Sequence, residues 1–337
     1  MRHFVIAGVL VIVGAVLTYA GLMAVHLMPV EASVQSISID WLWNLELITI
    51  SFLFALIVVP LAYSLVVFRR RKGDTTDGEH IEGNSTLEIT WTIVPLALVV
   101  VFAYLGAYSL GETRRVDPNA MVIKVTGFQW AWKFDYPDYG FSSQELHLPV
   151  GKQVLLQMES PDVIHSFWVP EFRMKQDVVP GRITEYRVTP SLIGNYKVRC
   201  SELCGISHAY MEAPVIVVSQ ADFDAWATQQ KAAAEQLANT PGPDAGRAAA
   251  QGLGCFACHT TDGSKLIGPT WRGLYGSHVQ LEDGTTVTAD DAYIKQSILE
   301  PASQVVKGFP PMSFNAKAVG ITDQQIQNII LYIQSLK

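Results

Sequence analysis

Charge is scarce in this chain. Asp, Glu, Lys and Arg make up 16% of its 337 residues, while 49% are hydrophobic and the mean hydropathy is positive. That balance excludes an ordinary soluble protein and puts part of the chain in lipid. Cysteine is scarcer still: the four occur as two tight pairs, Cys200/Cys204 and Cys255/Cys258. None is left to build a disulfide framework between distant segments, although each pair could close a local bridge. Basic residues form no stripe and do not alternate with aromatics, which excludes nucleic acid as a partner. The net charge of −7 is too modest to name one, and no internal repeat is visible.

Long apolar runs are what the chain does have. Phe4–Val25, Leu47–Phe68 and Trp91–Leu110 contain no charged side chain, and each is long enough to cross ~30 Å of hydrocarbon as a helix. Arg69, Arg70, Arg71 and Lys72 follow the second run and place its end in the cytoplasm. The third run then returns outward, so everything beyond residue 111 is expected outside. Residues 40–111 thus read as a transmembrane helical hairpin. Residues 1–32 admit two readings: a signal peptide cut after Val30-Glu31-Ala32, or an extra transmembrane helix.

From residue 112 to 220 the pattern changes to short strand-like pieces broken by Pro, Gly and Asp. Met121–Phe128, Gln153–Glu159, Ile183–Val188, Tyr196–Arg199 and Val215–Val218 are the candidates, and they predict an antiparallel β sandwich or barrel. An Ala- and Gln-rich helix over Ala221–Ala238 follows. The Pro/Gly run at 240–244 ends it, so that 221–243 form a helix and linker. Residues 244–337 read as a small all-α domain closing on an amphipathic helix, Asp323–Leu336.

The first chemical constellation is C-S-E-L-C-G-I-S-H-A-Y-M, from Cys200 to Met211. Soft sulfur with imidazole selects copper, zinc or iron–sulfur over hard cations. A zinc site could use Cys200, Cys204, His208 and the distant His165, but it leaves Met211 idle. A mononuclear blue copper leaves one cysteine idle. Two coppers bridged by Cys200 and Cys204 use every donor: His165 and His208 terminal, Met211 axial to one ion, and the Glu202 backbone carbonyl axial to the other.

This run, with D-V-I-H-S-F-W-V-P-E-F-R-M-K-Q-D-V-V-P-G from Asp162 to Gly181 and F-Q-W-A-W-K-F from Phe128 to Phe134, resembles subunit II of cytochrome c oxidases over residues ~40–220. The resemblance implies a dinuclear CuA centre in a cupredoxin barrel behind a helical hairpin. It further implies that Trp130 is the point of electron entry and that Glu202 helps bind magnesium at the interface with subunit I. Glu88, three residues before Trp91, corresponds to the mouth of a proton channel; its alternative role is a solvated cap on the third span. The family usually carries tyrosine after the tryptophan, where this chain has Ala131. His147, in E-L-H-L-P-V-G, matches no ligand and reads as a half-exposed strand residue.

The second constellation is Cys255-Phe256-Ala257-Cys258-His259, a C-x-x-C-H haem-attachment motif. By itself the C-x-x-C could be a redox or zinc pair. Ile267-Gly268-Pro269 and Gly273-Leu274-Tyr275-Gly276 resemble the loop that packs against the ligating histidine in class I cytochromes c. Cys255 and Cys258 would hold the haem covalently and His259 would ligate its iron. Met312 is the only methionine after the motif and the expected sixth ligand; His278 is its rival. Methionine ligation raises the iron potential, as a carrier upstream of copper requires.

The combined resemblance implies a proton-translocating oxidase subunit in a bacterial plasma membrane, its copper and haem c domains on the periplasmic face. Electrons would pass from an external donor to the haem, then to copper, then to the oxygen-reducing haem–copper site of subunit I. The donor would be a cytochrome c, a blue copper protein or a quinol-oxidising complex, and subunit III a further partner. The alternative terminal acceptor is nitric oxide, in a reductase with a similar dicopper subunit. A metallochaperone is disfavoured, because it has no use for covalent haem. Residues 244–337 carry eight acids and seven bases, so docking of the cytochrome is not expected to be strongly electrostatic.

Overall fold

Long apolar stretches without charge give the first part of the chain its form. The structure, a computed structural model, describes residues 1–78, 80–312, 314 and 316–337. Three helices, α1 (Arg2–Ala24), α2 (Val34–Val67) and α3 (Ser85–Thr113), are long and apolar enough to cross a membrane. At 1.5 Å per residue α2 is roughly 50 Å long, well beyond a hydrocarbon core. It therefore starts before the apolar run at Leu47, because Asp40 and Glu46 end a hydrophobic stretch without ending a helix. Thr18, Thr49, Thr90 and Thr92 each donate their hydroxyl to the carbonyl four residues back, which satisfies them inside an apolar segment. Asn84 caps α3 by accepting from Leu87 N at 3.0 Å.

A second unit holds everything from Val116 onward together with Ala32–Val34. Ten of its strands make up two five-stranded sheets, beginning with β1 (Met121–Phe128), β2 (Ala131–Tyr136), β3 (Phe141–Ser143), β4 (Leu146–Pro149) and β5 (Val154–Glu159). They continue with β6 (His165–Trp168), β7 (Lys175–Val178), β8 (Thr184–Val188), β9 (Gly194–Cys200) and β10 (Glu212–Val218). One sheet has the order β3-β2-β1-β5-β8 and the other β4-β10-β9-β6-β7. Most pairings are antiparallel; β1–β5 and β4–β10 are parallel. The clearest alternation is A-W-K-F-D-Y in β2, where Trp132, Phe134 and Tyr136 point into the core. Residues 32–34 are stitched into the same unit: Ala32 N donates to Glu171 O at 3.0 Å and Val34 N to Thr189 O at 2.9 Å.

Helix α4 (Gln220–Asn239) starts at Ser219, whose hydroxyl accepts from Asp222 N. It lies on the β domain as a lid. Phe223 and Ala227 are buried in the β core, and Trp226 stacks on His147 with ring centroids 3.9 Å apart. His147 is thus buried under an indole, unlike the half-exposed strand residue expected, and this burial lowers its pKa despite a hydrogen bond with Glu145.

The last domain has its own core. It comprises α5 (Pro243–Gly252), a two-stranded ribbon of β11 (His278–Gln280) and β12 (Thr286–Thr288), α6 (Asp291–Leu299), α7 (Ala316–Val319) and α8 (Asp323–Ser335). The spacing of Ile326, Ile329, Ile330 and Ile333 puts one apolar stripe on α8, all of it buried. Thr322 and Gln325 form a capping box at its start. Helices α5 and α8 meet at Gly246, where a Cβ would fall 2.8 Å from Tyr332 Cβ and overlap the Asn328 carbonyl.

Candidate functional site

Two backbone anchors bring the first set of donors together. Cys200 ends β9, and its N–H donates to Met211 O at 3.0 Å; Ser201 N donates to Ser166 O at 2.9 Å. The loop 201–211 is thereby folded back over β6, whose first residue is His165. Around Cys200 Sγ lie Cys204 Sγ at 3.7 Å, His165 Nδ1 at 3.8 Å and the Glu202 carbonyl at 3.2 Å. Around Cys204 Sγ lie His208 Nδ1 at 3.5 Å and Met211 Sδ at 3.8 Å. His165, Cys200, Cys204 and Met211 are all buried, while the Glu202 side chain is exposed. The two sulfurs lie beyond disulfide distance, and all four cysteines are free thiols.

The electrostatics of this cluster suit a cation. Burial opposes the Cys200 thiolate, but His165 and backbone groups of Glu202 and Ser166 outweigh it and pull the pKa down to about 6. Burial and the adjacent Cys200 push Cys204 up to about 12. One negative charge is stable here without help; a second needs positive charge between the sulfurs. The donors therefore fit a soft metal, with one imidazole and one weaker donor beside each sulfur.

A residue that sequence reasoning did not single out holds this set in place. Asp162 Oδ1 contacts His165 Nε2 at 2.9 Å, and its Oδ2 accepts from Gln129 N at 2.7 Å. Burial opposes protonated His165, yet Asp162 and Cys200 outweigh it and raise its pKa. A carboxylate on the far ring nitrogen orients the near one towards the sulfurs. Its signal was present in D-V-I-H, where a carboxylate stands three residues before the imidazole. Asp162→Asn is expected to weaken copper binding by about 10–100-fold without changing haem content. Copper titration against a competing chelator checks this.

Trp130 and Gln129 form the two-residue turn between β1 and β2. Trp130 Nε1 and Gln129 Nε2 both donate to the Cys204 carbonyl, at 3.2 Å and 2.6 Å. Trp130 also lines a cavity of about 510 Å³, together with Cys255, Cys258, His259, Met312 and apolar groups that include Trp271 and Ile329. That volume lies within the range of roughly 300–1,000 Å³ of cofactor sites. His259 Nδ1 donates to Pro269 O at 2.8 Å, which leaves Nε2 as the unprotonated nitrogen for a metal. Burial lowers the pKa of His259 against that hydrogen bond, so the ring is neutral. Burial also pushes Cys255 up to about 12, so unlike Cys200 it stays a thiol. A neutral imidazole, a thioether and two thiols around an apolar cavity fit a covalently held haem.

A family model described as cytochrome c oxidase subunit II, transmembrane domain, matches residues 18–111, and one for the periplasmic domain of the same subunit matches residues 141–220. A cytochrome c model matches residues 243–337. The cytochrome c oxidase subunit 2 of Synechocystis is 34% identical over 262 residues, covering 64% of this chain and 79% of that protein. The chain belongs to the cytochrome c oxidase subunit II family. The subunit 2 of Alkalihalophilus pseudofirmus is 29% identical over 314 residues and covers 88% of each chain. A crystal structure of the periplasmic domain of subunit II of cytochrome oxidase from Bradyrhizobium japonicum is 35% identical, covering 34% of this chain and 97% of that one with a TM-score of 0.33.

The subunit II chain thus carries a His/Cys/Cys group and a cytochrome c domain, which fit a CuA site and haem c. The remaining candidates lie elsewhere. His278 is exposed on β11, 3.5 Å from Thr288 Oγ1, and does not line the cavity. Glu88 is exposed in the first turn of α3, where its Oε1 accepts from Asn84 N at 3.3 Å. Nitric oxide reductase is not favoured by these relatives.

Proposed function

We propose that this chain is the electron-entry subunit of a cytochrome c oxidase that carries its own cytochrome. One observation supports the relay above others. The cavity bounded by Cys255, Cys258, His259 and Met312 is also bounded by Trp130, whose indole holds the carbonyl of Cys204. In this reading His165, Cys200, the Glu202 carbonyl, Cys204, His208 and Met211 hold a dinuclear copper. Cys255 and Cys258 would attach the haem, and His259 and Met312 would hold its iron. Bound there, the two centres supply one-electron redox chemistry between an external donor and the oxygen-reducing site of subunit I, in a complex that translocates protons.

The chain's own residues do the remaining work. Asp162 fixes the His165 ring, and Pro269 fixes the His259 ring. The apolar lining disfavours water, and the Met312 thioether would supply a donor that favours reduced iron. The exposed Glu202 side chain is free to share a magnesium ion with subunit I, and Glu88 faces solvent, as a proton-channel mouth requires. The external donor, a cytochrome c, a blue copper protein or a quinol-oxidising complex, would deliver to the haem edge. Subunits I and III and the lipid of a bacterial plasma membrane complete the surroundings, with the copper and haem domains on the periplasmic side.

Metal and haem analysis of the purified full-length chain in detergent tests this directly. Two coppers and one covalent haem per chain are expected, with an electron delocalised over both coppers in paramagnetic resonance. A single zinc with no copper would end the reading.

A further inference from the structure

The cytochrome domain touches the β domain at a glycine, Gly254, that lies against Phe128 and Ala131. Phe128 and Ala131 are cross-strand partners that close the two-residue turn of the β1–β2 hairpin. Residues directly opposite one another in a ladder present their side chains on one face. On that face sits Gly254, the residue immediately before Cys255. A Cβ on Gly254 would lie 2.5 Å from Phe128 Cε2, 2.8 Å from Phe128 Cζ and 3.2 Å from Ala131 Cβ. Its φ of +72° favours glycine for a second reason. Close by, the Gln144 side-chain amide donates to the Gln251 carbonyl at the end of α5, a polar tie across the same seam.

We propose that Phe128, Ala131 and Gly254 form a docking seat for the chain's own cytochrome domain, and that the small size of residue 131 keeps the haem-cavity wall in direct contact with the Trp130 turn. Three features make this a built seat. Phe128, Gln129 and Trp130 line the same cavity as Cys255 and Cys258, and the residue just before Cys255 lies against Phe128 and Ala131. Phe223 and Trp226 clamp α4 to the β domain, which leaves only residues 240–242 between α4 and α5 as tether. So short a leash holds the cytochrome near the hairpin, and the seat then selects one orientation from those the leash permits. Finally, the near balance of charge on residues 244–337 leaves shape as the means of orientation. Ala131, Gly254 and Gln144 are positioning residues, each acting through the hairpin or the C-x-x-C segment. A bulky side chain at 131 would fill the space into which Gly254 fits and lift the cytochrome from the turn.

The consequence for electron transfer rests on the relay proposed above; the seat itself does not. The test uses the full-length chain in its purified oxidase, as wild type, Ala131→Tyr and Ala131→Ser. Hydrogen exchange of segments 128–132 and 251–257 reads docking, copper and haem spectra read the two centres, and flash reduction reads the haem-to-copper rate. For Ala131→Tyr, exchange in both segments should rise and the internal rate fall by about tenfold or more, because tethering alone does not supply a productive geometry. Both spectra should stay intact, and Ala131→Ser should match wild type. Unchanged exchange and rate in Ala131→Tyr would overturn the seat. If Ala131→Tyr does not fold, Gln144→Ala carries the decision: exchange in 251–257 rises, or the seat is wrong. Wild-type protein without a delocalised copper signal would sink the relay instead, while its exchange protection would still report on the seat.

Discussion

Cys200→Ser should abolish the delocalised two-copper signal and cut electron flow from haem to oxygen by more than about 100-fold, since losing even an outer-shell partner costs 10–100-fold. Covalent haem should stay at one per chain. The asymmetry follows from the local charges. Cys200 is the sulfur that ionises readily, held near His165 and the Glu202 carbonyl, while Cys204 beside it is pushed up. Serine leaves the site with one thiolate donor instead of two and with a hydroxyl that bridges copper poorly. The haem domain is untouched, because its buried core shares no residue with that of the β domain. Paramagnetic resonance, a haem stain of the denatured chain and oxygen uptake by the complex measure the three quantities. A surviving delocalised signal would show that Cys200 is not a bridge.

How much of this was legible in the sequence depended on how local each signal was. The donors from Cys200 to Met211 lie within one loop, and C-x-x-C-H lies within five residues, so spacing alone exposed both groups. The apolar runs were equally plain, though α2 extends into charged sequence that a hydropathy reading stops at. Short strands were not legible. β3, β4, β6 and β7 have three or four residues each, too few for alternation to stand out; they exist because neighbouring strands supply their hydrogen bonds. Helix α4 was found, but its role as a lid was not, since Trp226 meets His147 across 79 positions of sequence. The same holds for Asp162 with Gln129, and for Gly254 with Phe128 and Ala131. Each of these is a small or polar residue whose neighbour is remote, and a single sequence carries no record of that.

Gly246→Val should produce the opposite phenotype to Cys200→Ser: haem content falling to about a tenth or less, with the copper signal kept. Valine at a mid-helix position would ordinarily be mildly favourable over glycine, and alanine better by about 1 kcal/mol. Here that gain is outweighed. The Cβ alone would meet the Asn328 carbonyl and Tyr332 Cβ of α8, and a backbone carbonyl inside a helix cannot turn aside as a flexible side chain can. Overpacking costs about 1–3 kcal/mol where side chains can adjust, and more where they cannot. Separating α5 from α8 uncovers the stripe of Ile326, Ile329, Ile330 and Ile333 against which Leu253 and Trp271 pack. The domain's whole stability is on the order of 5–15 kcal/mol, and this loss removes a large part of it. Cys255 and Cys258, at the end of α5, would then no longer be held for attachment. Phe223 and Trp226 of α4, together with the β core, lie outside the damage, so the copper site should fold and fill. Haem per chain and the resonance signal of the same preparation decide it. Loss of both would mean that the two domains fold as one unit, and retention of haem would mean that α5 and α8 can part at Gly246 without cost.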